Sequence, residues 1–392
     1  MIFNRLRPQA AITESSELAA VIRQGSANDS GMTVSATTAM RSTAVYACVT
    51  VISETVAQLP LLLYQRKGDR KERASANRLY GLLHDQPNDF QTSFDWRLAK
   101  TSNILLHGAA YSFINRSITG DVLELLPILP GKIEPRLSKN YQLTYQFTDA
   151  DGKQITLRQD QVLRVIGHTL DGWQGVSPIT YHRQTIGVSL AADRHAALSY
   201  KNGAKHSGIL ENPGHFKDAD IARRVRESWD EAFSGDGAHK TALLEDGLTF
   251  RQVSQTNRDL QYIESLKYRV EDIARIFHMP PHKIGHLEKS TNNNIEHQGL
   301  EFLTDTMMPW FVRWEQSISR DLLGRKAAQT YFAEFLVEGM LRGALSSRGD
   351  YYSKAVGGPW MSANEVRARE NQNPVAGHDE ILTPMNMSGN PQ

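Results

Sequence analysis

The chain has 392 residues, more than one compact core accommodates and enough for roughly two or three domains. Lys plus Arg number 44 against 43 Asp plus Glu, a formal charge of +1. That balance argues against a protein that grips nucleic acid through a wholly basic surface, though not against one that lets DNA pass. A single cysteine, Cys48, excludes an intramolecular disulfide and suits a reducing cytoplasm. No stretch reaches the roughly 18 apolar residues of a membrane span, and Met1–Ala10 lacks the apolar run of a signal peptide. The expectation is a soluble protein made inside the cell, with no membrane partner.

Residues 11–41 are rich in Ser, Thr, Ala and Gly and read as part of a flexible arm, 1–41. From Ser42, Val45, Cys48, Val49, Ile52, Val56 and Leu59 make a helical stripe that stops at Pro60. Leu61–Gln65 reads as a strand, with Arg66–Arg73 as its exposed hairpin turn. A short helix over Leu79–Leu83 leads to a turn at Gln86–Asn88, and a helix over Ser93–His107 points Phe94, Leu98, Ile104 and Leu105 inward. Tyr111–Ile114, Val122–Pro127, Lys132–Leu137, Leu143–Phe147 and Val162–Ile166 read as short strands of a mixed sheet. The first 175 or so residues are therefore an α+β domain.

After a turn at Gly172–Pro178, helical periodicity runs from Ile179 to Asn202 through Ile186, Leu190, Ala197 and Leu198. A small α/β insert follows, Gly208–Asn257: a strand at Ile209 and Leu210, a helix over Asp218–Phe233, a turn at Ser234–Gly237, and strands at Thr241–Leu244 and Thr249–Val253. A second long helix resumes at Arg258, its stripe carried by Leu260, Ile263, Leu266, Val270, Ile273 and Phe277. Pro280 and Pro281 end it, because the residue before a proline is pushed out of the α region. The polar run Lys289–Asn294 precedes a third long helix striped by Leu300, Leu303, Met307, Phe311, Trp314, Ile318 and Leu322. Pro309 lies inside it and predicts a kink near Asp305–Pro309, since an interior proline removes a backbone bond and costs about 3 kcal/mol. Gly324 stops that helix, and Tyr331–Leu336 reads as a strand returning to the first domain. Short helices over Ser347–Val356 and Ser362–Arg369, then Pro374–Pro384, make the tail, and no internal repeat is visible.

The chemical constellations point away from catalysis. His278, His282 and His286 share a four-residue spacing, but Pro280 and Pro281 forbid the single helix that would align them as metal ligands. Asp149–Gly152 lacks the later Glu of a calcium loop and reads as a hairpin turn. Ser234–Gly237 is too short for a phosphate loop, and no Gly-x-Ser-x-Gly elbow is present. Arg223, Arg224 and Arg226 sit among Asp220, Glu227, Asp230 and Glu231, so pairing within the helix or between subunits is expected ahead of nucleic-acid contact. No enzyme, metal or cofactor is expected.

A set of landmarks carries a family resemblance across about residue 40 to 385. They are Ser42–Val49 with Glu54–Pro60, Pro87-Asn88, Gly108–Tyr111 and Asp171-Gly172 with Gly175–Pro178. Asn202–Ala204, Ile273–Phe277 with Met279–His282, Thr291–Asn294, Asn371–Pro374 and Pro384–Asn386 complete them. Together they resemble the portal (head-to-tail connector) proteins of tailed bacteriophages, siphophage type. The resemblance implies a wing at 42–178, rejoined by 324–342, stem helices at 179–206 and 258–282, and a clip at 207–257. It further implies a tunnel loop and kinked tunnel helix at 283–323 and a short helical crown and tail at 343–392. A dodecameric ring at one capsid vertex follows, assembled in the host cytoplasm and carried in the virion. Double-stranded DNA would be packaged and ejected through it. The clip would dock the terminase large subunit and then head-completion or tail adaptor proteins; the major capsid and scaffold proteins would surround it. On this reading Lys289, Ser290, Thr291, Asn292, Asn293 and Asn294 touch passing DNA, Pro309 lets the helix bend, and Arg223, Arg224, Arg226, Glu227 and Asp230 face the clip's partner. Another connector ring subunit without motor docking, or a metal-dependent hydrolase, are the rival readings. The paired long helices around an insert argue against the first, and Pro280 and Pro281, which break the helix the histidines would need, argue against the second.

Overall fold

The computed structural model describes residues 28–68, 70–201, 208–211, 214, 219–233, 248–252, 268–285, 295–337, 345–358, 360–369 and 375–382. The chain divides into two compact units, one of Met1–Thr50, Leu105–Gly108 and Gly167–His286, the other of Val51–Ile104, Ala109–Ile166 and Leu287–Gln392. Helix α1 (Thr43–Gln58) buries its predicted stripe of Val45, Cys48, Val49, Ile52 and Val56 and ends just before Pro60. Burial of the Cys48 thiol pushes its pKa up to about 12, which marks it as core and not as a nucleophile.

The unit containing Leu287–Gln392 is a set of small sheets. Strand β1 (Leu61–Lys67) lies between β2 (Arg70–Arg73) and the late strand β11 (Tyr331–Phe335), with Leu61 opposite Phe335. The expected return of the chain to its first domain is thus present. The charged run Arg66–Arg73, expected as a turn, is mostly strand, with Gly68 at φ +58° between the two strands. Opposite charges on paired strands explain the difference: Lys67 meets Glu72 at 2.7 Å and Lys71 meets Glu334.

Strand β3 (Ala109–Arg116) pairs with β4 (Val122–Ile128) and β8 (Val162–Ile166), while β5 (Ile133–Leu137), β6 (Leu143–Thr148) and β7 (Gln154–Arg158) form a third sheet. Every pairing among the described residues is antiparallel, which corrects the mixed sheet. The tight links between successive strands permit hairpins but no parallel crossover. One such link is Asp149–Gly152, whose Asp149 carboxylate accepts from the Asp151 and Lys153 N–H groups at 3.0 and 2.8 Å.

Helix α2 (Arg78–His84) precedes α3 (Ser93–His107), whose ends match the sequence reading; Ile104 and Leu105 are buried as expected, Leu98 is half-buried, and Phe94 departs from the reading. Phe94 is 41% exposed, and the inward side carries Trp96, Arg97, Lys100, Thr101 and Ile104. Two buried cations are tolerated because each donates to backbone carbonyls that compensate part of its lost hydration. Arg97 reaches Leu59 O at 2.7 Å and Ala57 O at 2.9 Å, at the C-terminal end of α1. Lys100 Nζ reaches Tyr111 O and, at 3.2 Å, Ile128 O, which lie opposite each other on β3 and β4. Burial pulls the Lys100 ammonium down to about 7 and Arg97 to about 10.

In the other unit, residues 28–39 do not behave as a loose arm. Asn28 is buried, donates to Arg183 O at 2.9 Å and accepts from the Ser30 and Met32 N–H groups, while Gln184 and Asp29 bond reciprocally. Gly187 makes this possible, since a Cβ there would sit 1.6 Å from the Asn28 amide nitrogen. Residues 11–27 of the expected arm lie outside the described residues. Two of the sequence landmarks prove to be turn devices. Gly108, at φ +85°, brings its Cα so near the 175–176 peptide that a Cβ would lie 2.6 Å from Val176 C. Ser177 caps the turn Pro178–Tyr181 and donates to Leu106 O at 2.6 Å. Helix α4 (Arg183–Lys201) follows after a break at His182.

Candidate functional site

The third long helix is the most articulated element of the chain. It begins as α7 (Ile295–Glu301), widens into a π-helical stretch at Phe302–Met307, continues as α8 (Met308–Ile318), and widens again at Ser319–Leu323 before Gly324 leaves the helical region at φ +66°. The apolar stripe is as predicted at Leu303, Met307, Phe311, Trp314, Ile318 and Leu322, all buried; Leu300 departs from it and is 46% exposed. The proline accounts for the first widening. Pro309 has no N–H for the Asp305 carbonyl and its ring would collide with that oxygen. The ladder slips by one residue just ahead of it, with the Met308 N–H donating to Leu303 O, five residues back. Where a kink was expected near Asp305–Pro309, the helix has a wide turn over 302–307. Thr304 adds to it by bonding back to Leu300 O and Glu301 O at 3.1 and 3.3 Å, a habit that bends helices.

Below Pro309 the helix is fastened to the sheets of its own unit. Trp314 meets Trp96 edge-on at 5.2 Å, and Phe311 lies 4.9 Å from Phe335. Glu315 accepts the Phe335 N–H at 2.9 Å; burial raises its pKa, and that bond opposes the rise. At the lower wide turn the Asp321 carboxylate, almost wholly buried, takes the Arg164 N–H at 2.9 Å and both Arg320 donors at 2.7 Å. Arg320 also donates to Arg164 O at 2.6 Å, and Arg116 to Asp321 O at 2.9 Å. The Asp321 carboxylate holds the Arg320 pKa above its usual value. None of these tethers was anticipated. The one signal for them in the sequence is an acid, Asp321, standing beside Ile318 and Leu322 on the apolar stripe.

In the described part of this helix the exposed residues are Leu300, Glu301, Thr304, Asp305, Met308, Pro309, Val312, Gln316 and Arg320. Arg313, half-buried, lies over the Trp310 ring at 4.9 Å, and burial lowers its pKa. The predicted DNA contacts Lys289, Ser290, Thr291, Asn292, Asn293 and Asn294 lie outside the described residues.

The other unit contains helix α6 (268–276), the described part of the second long helix; Ile273 and, just past it, Phe277 are buried as predicted, Val270 is half-buried, and Ala274 is buried beside them. His278 closes it with φ +52°, and the Met279 N–H donates to Ala274 O at 2.8 Å, the left-handed helix stop usually made by Gly or Asn. Arg275 pairs with Asp272 at 2.6 Å and Glu271 at 3.2 Å on its own helix. Exposed Ala197 and Leu198 correct the inward direction expected of them on α4.

In the insert, β9 (Gly208–Glu211) pairs antiparallel with β10 (Thr249–Gln252), and helix α5 (Ala219–Phe233) lies between them in the chain. Thr241–Leu244 lies outside the described residues. On α5, Arg223 bonds Asp220 at 3.0 Å and approaches Glu227 at 3.9 Å, and Arg224 Nε donates to Asp220 O at 3.4 Å. The expected pairing within the helix is present for these residues; Arg226 and Asp230 are placed on the same helix, their side chains outside the described part. Among the described residues no group of three His, Cys, Asp or Glu could hold a metal, and no helix is long and apolar enough to cross a membrane.

The model of the phage portal protein family matches residues 43–371. The portal protein of Enterobacteria phage HK97 is 32% identical over 344 residues, covering 86% of this chain and 80% of its own. The probable portal protein of Streptomyces phage phiC31 is 32% identical over 371 residues, covering 90% and 79%. The fold is similar to that of a HK97 family phage portal protein from Corynebacterium diphtheriae, at 18% identity and a TM-score of 0.59 over 78% of this chain and 97% of that one. It is similar also to a chain of the neck of a native gene transfer agent particle computed with C12 symmetry, at 20% identity and a TM-score of 0.61 over 86% and 93%.

Proposed function

Because the chain belongs to the phage portal protein family, we propose that copies of it close into a ring at one capsid vertex, the conduit by which double-stranded DNA enters the particle and leaves it. The family match across residues 43–371 carries this reading. A head-to-tail contact whose rotation closes gives such a ring, and the C12 neck to which the fold is similar favours a dodecamer. The role is structural, with no catalytic residue assigned.

Within the ring, 42–178 with 324–342 serves as the wing, 179–206 and 258–282 as the stem, 207–257 as the clip, 283–323 as tunnel loop and helix, and 343–392 as the crown. A conduit must let its cargo slide, whereas about 6 to 10 phosphate contacts already bind DNA strongly and salt-dependently. Lys289 is the cation of the loop, and Ser290, Thr291, Asn292, Asn293 and Asn294 offer neutral hydrogen bonds. The exposed Glu301 and Asp305 of the following helix add repulsion. In the clip, Arg223 and Glu227 approach each other, together with Asp220, and the helix that carries them along with Arg224, Arg226 and Asp230 meets the terminase large subunit and later the adaptor proteins. Assembly takes place in the host cytoplasm among capsid and scaffold proteins.

Negative-stain microscopy of the purified protein tests the ring: annular particles with a central hole are expected, and a monomer at every concentration and salt would overturn the reading. Lys289→Glu tests the DNA contact separately. Rings should still form while packaging yield changes, and unchanged packaging would remove Lys289 from the channel.

A further inference from the structure

The hairpin of β1 and β2 sets like charges against each other. Its register places Arg66 opposite Lys71 and Lys67 opposite Arg70. Directly opposed cations destabilise a strand pair, so the arrangement needs a reason outside the fold. Neighbouring acids answer it only in part. Glu72 reaches Lys67 from a diagonal position, Glu334 reaches Lys71 from across β1, and Asp69 lies outside the described residues. Five cations and two acids stand in the eight residues Arg66–Arg73, in a chain whose formal charge is only +1.

The cations are also braced. Tyr64 and Phe332, opposite each other on β1 and β11, stack at 5.6 Å. The Arg66 guanidinium lies 4.5 Å over the Phe332 ring, Lys71 Nζ lies 4.8 Å over Tyr64, and Arg73 donates to the Tyr64 hydroxyl. Even so, Arg66, Lys67, Arg70, Lys71 and Arg73 are all exposed. A cation already resting on an aromatic face has less side-chain freedom left to lose when it meets an anion, which favours binding. Among the described residues, none of the exposed large apolar side chains lies on β1, β2 or β11. The face therefore lacks the apolar anchors that carry most protein–protein contacts, and charge is what it offers.

We infer that the β1–β2 hairpin is a DNA-binding face in addition to the contact proposed for Lys289: its cations take the backbone phosphates of double-stranded DNA without regard to sequence. Phosphate contacts of this kind position a duplex and carry no base readout. The biological side of this inference rests on the portal reading, which is what brings DNA to the chain. If the two acids cancel two of the cations, about three effective contacts remain, and about five if they cancel none. Affinity should then fall about 40- to 500-fold between 50 and 200 mM salt. Such a face holds DNA loosely enough to release it.

The test is filter binding of covalently closed circular duplex DNA, which has no end with which to thread a bore, to the purified full-length protein between 50 and 200 mM salt. Wild type should bind and lose affinity with salt as stated. Arg70→Gln removes one cation and one like-charge opposition. It should leave the melting temperature unchanged or raised, weaken binding about tenfold at 50 mM salt, and lower the slope of log affinity against log salt by about 1. Arg70→Lys should restore binding to within about threefold of wild type. A residue that merely supported the hairpin would move the melting temperature instead of the slope. Polyglutamate of equal total charge should displace the circle less well than unlabelled duplex does. No binding by the wild type, equal binding by wild type and Arg70→Gln, or displacement by polyglutamate ahead of DNA, which would assign the face to an acidic protein, would each overturn the inference. Rings seen in negative stain that do not bind the circle leave the portal reading standing, whereas binding by a protein that forms no ring keeps this face and defeats that reading.

Discussion

Charged side chains are used in opposite ways in the two units. In the unit of small sheets, Arg97, Lys100, Arg116 and Arg320 donate hydrogen bonds to backbone carbonyls of other elements, across sequence separations that knit strands and helices together. In the unit carrying the insert, Arg223 and Arg275 bond to carboxylates a turn away on their own helices. The first arrangement makes the fold depend on each cation. The second uses charge locally, within one helix, and leaves the element's outer face available to other chains. A ring subunit needs both, a framework that does not yield and surfaces that partners can exchange.

The comparison breaks most visibly at the framework core. Trp314→Ala deletes a buried indole packed on Trp96 and should cost about 3 to 5 kcal/mol in urea unfolding. Next comes Lys100. Its ammonium titrates near 7 in the fold and near the ordinary lysine value in the unfolded chain, so between those limits the unfolded chain holds a proton that the fold lacks. Stability should therefore rise with pH from about 7 towards 10, by at most about 1.4 kcal/mol per pH unit from this group. Lys100→Met should flatten that slope, and a slope that persists would mean the ammonium stays charged where it lies. Pro309→Ala sharpens the contrast inside one helix: the fold should change by no more than about 1 kcal/mol, whereas packaging should fall clearly. Smallest is Arg223→Gln. An exposed pair is worth about 0 to 1 kcal/mol, so thermal unfolding should barely move while motor binding to the ring, measured by co-sedimentation, weakens.

Much of this was legible in the chain. The ends of α3, the stripe of α1 and the stripe from Leu303 to Leu322 follow from spacing alone, because burial of apolar side chains sets them. What the sequence concealed is polar. Trp96, Arg97 and Lys100 share a face that periodicity alone assigns to solvent on account of its charges, and only the positions of carbonyls on distant strands explain why it turns inward. Strand β7 was missed because just Leu157 of its five residues is buried, so no alternation shows. The docking of Asn28 depends on the missing side chain of Gly187, a long-range fit that leaves no local pattern. The landmarks that resemble portal proteins were readable because several encode turns: Gly108, Ser177 and the proline pair at 280–281 are conformational requirements before they are anything else.

The pairing of β1 with β11 has a consequence for biosynthesis. Leu61 emerges from the ribosome early and its partner Phe335 very late, so a nascent chain carries β1 for most of translation with one row of N–H and C=O groups unanswered. Such an open edge invites pairing with the wrong strand. A product truncated before Tyr331 would retain that edge and expose it to pairing with other strands.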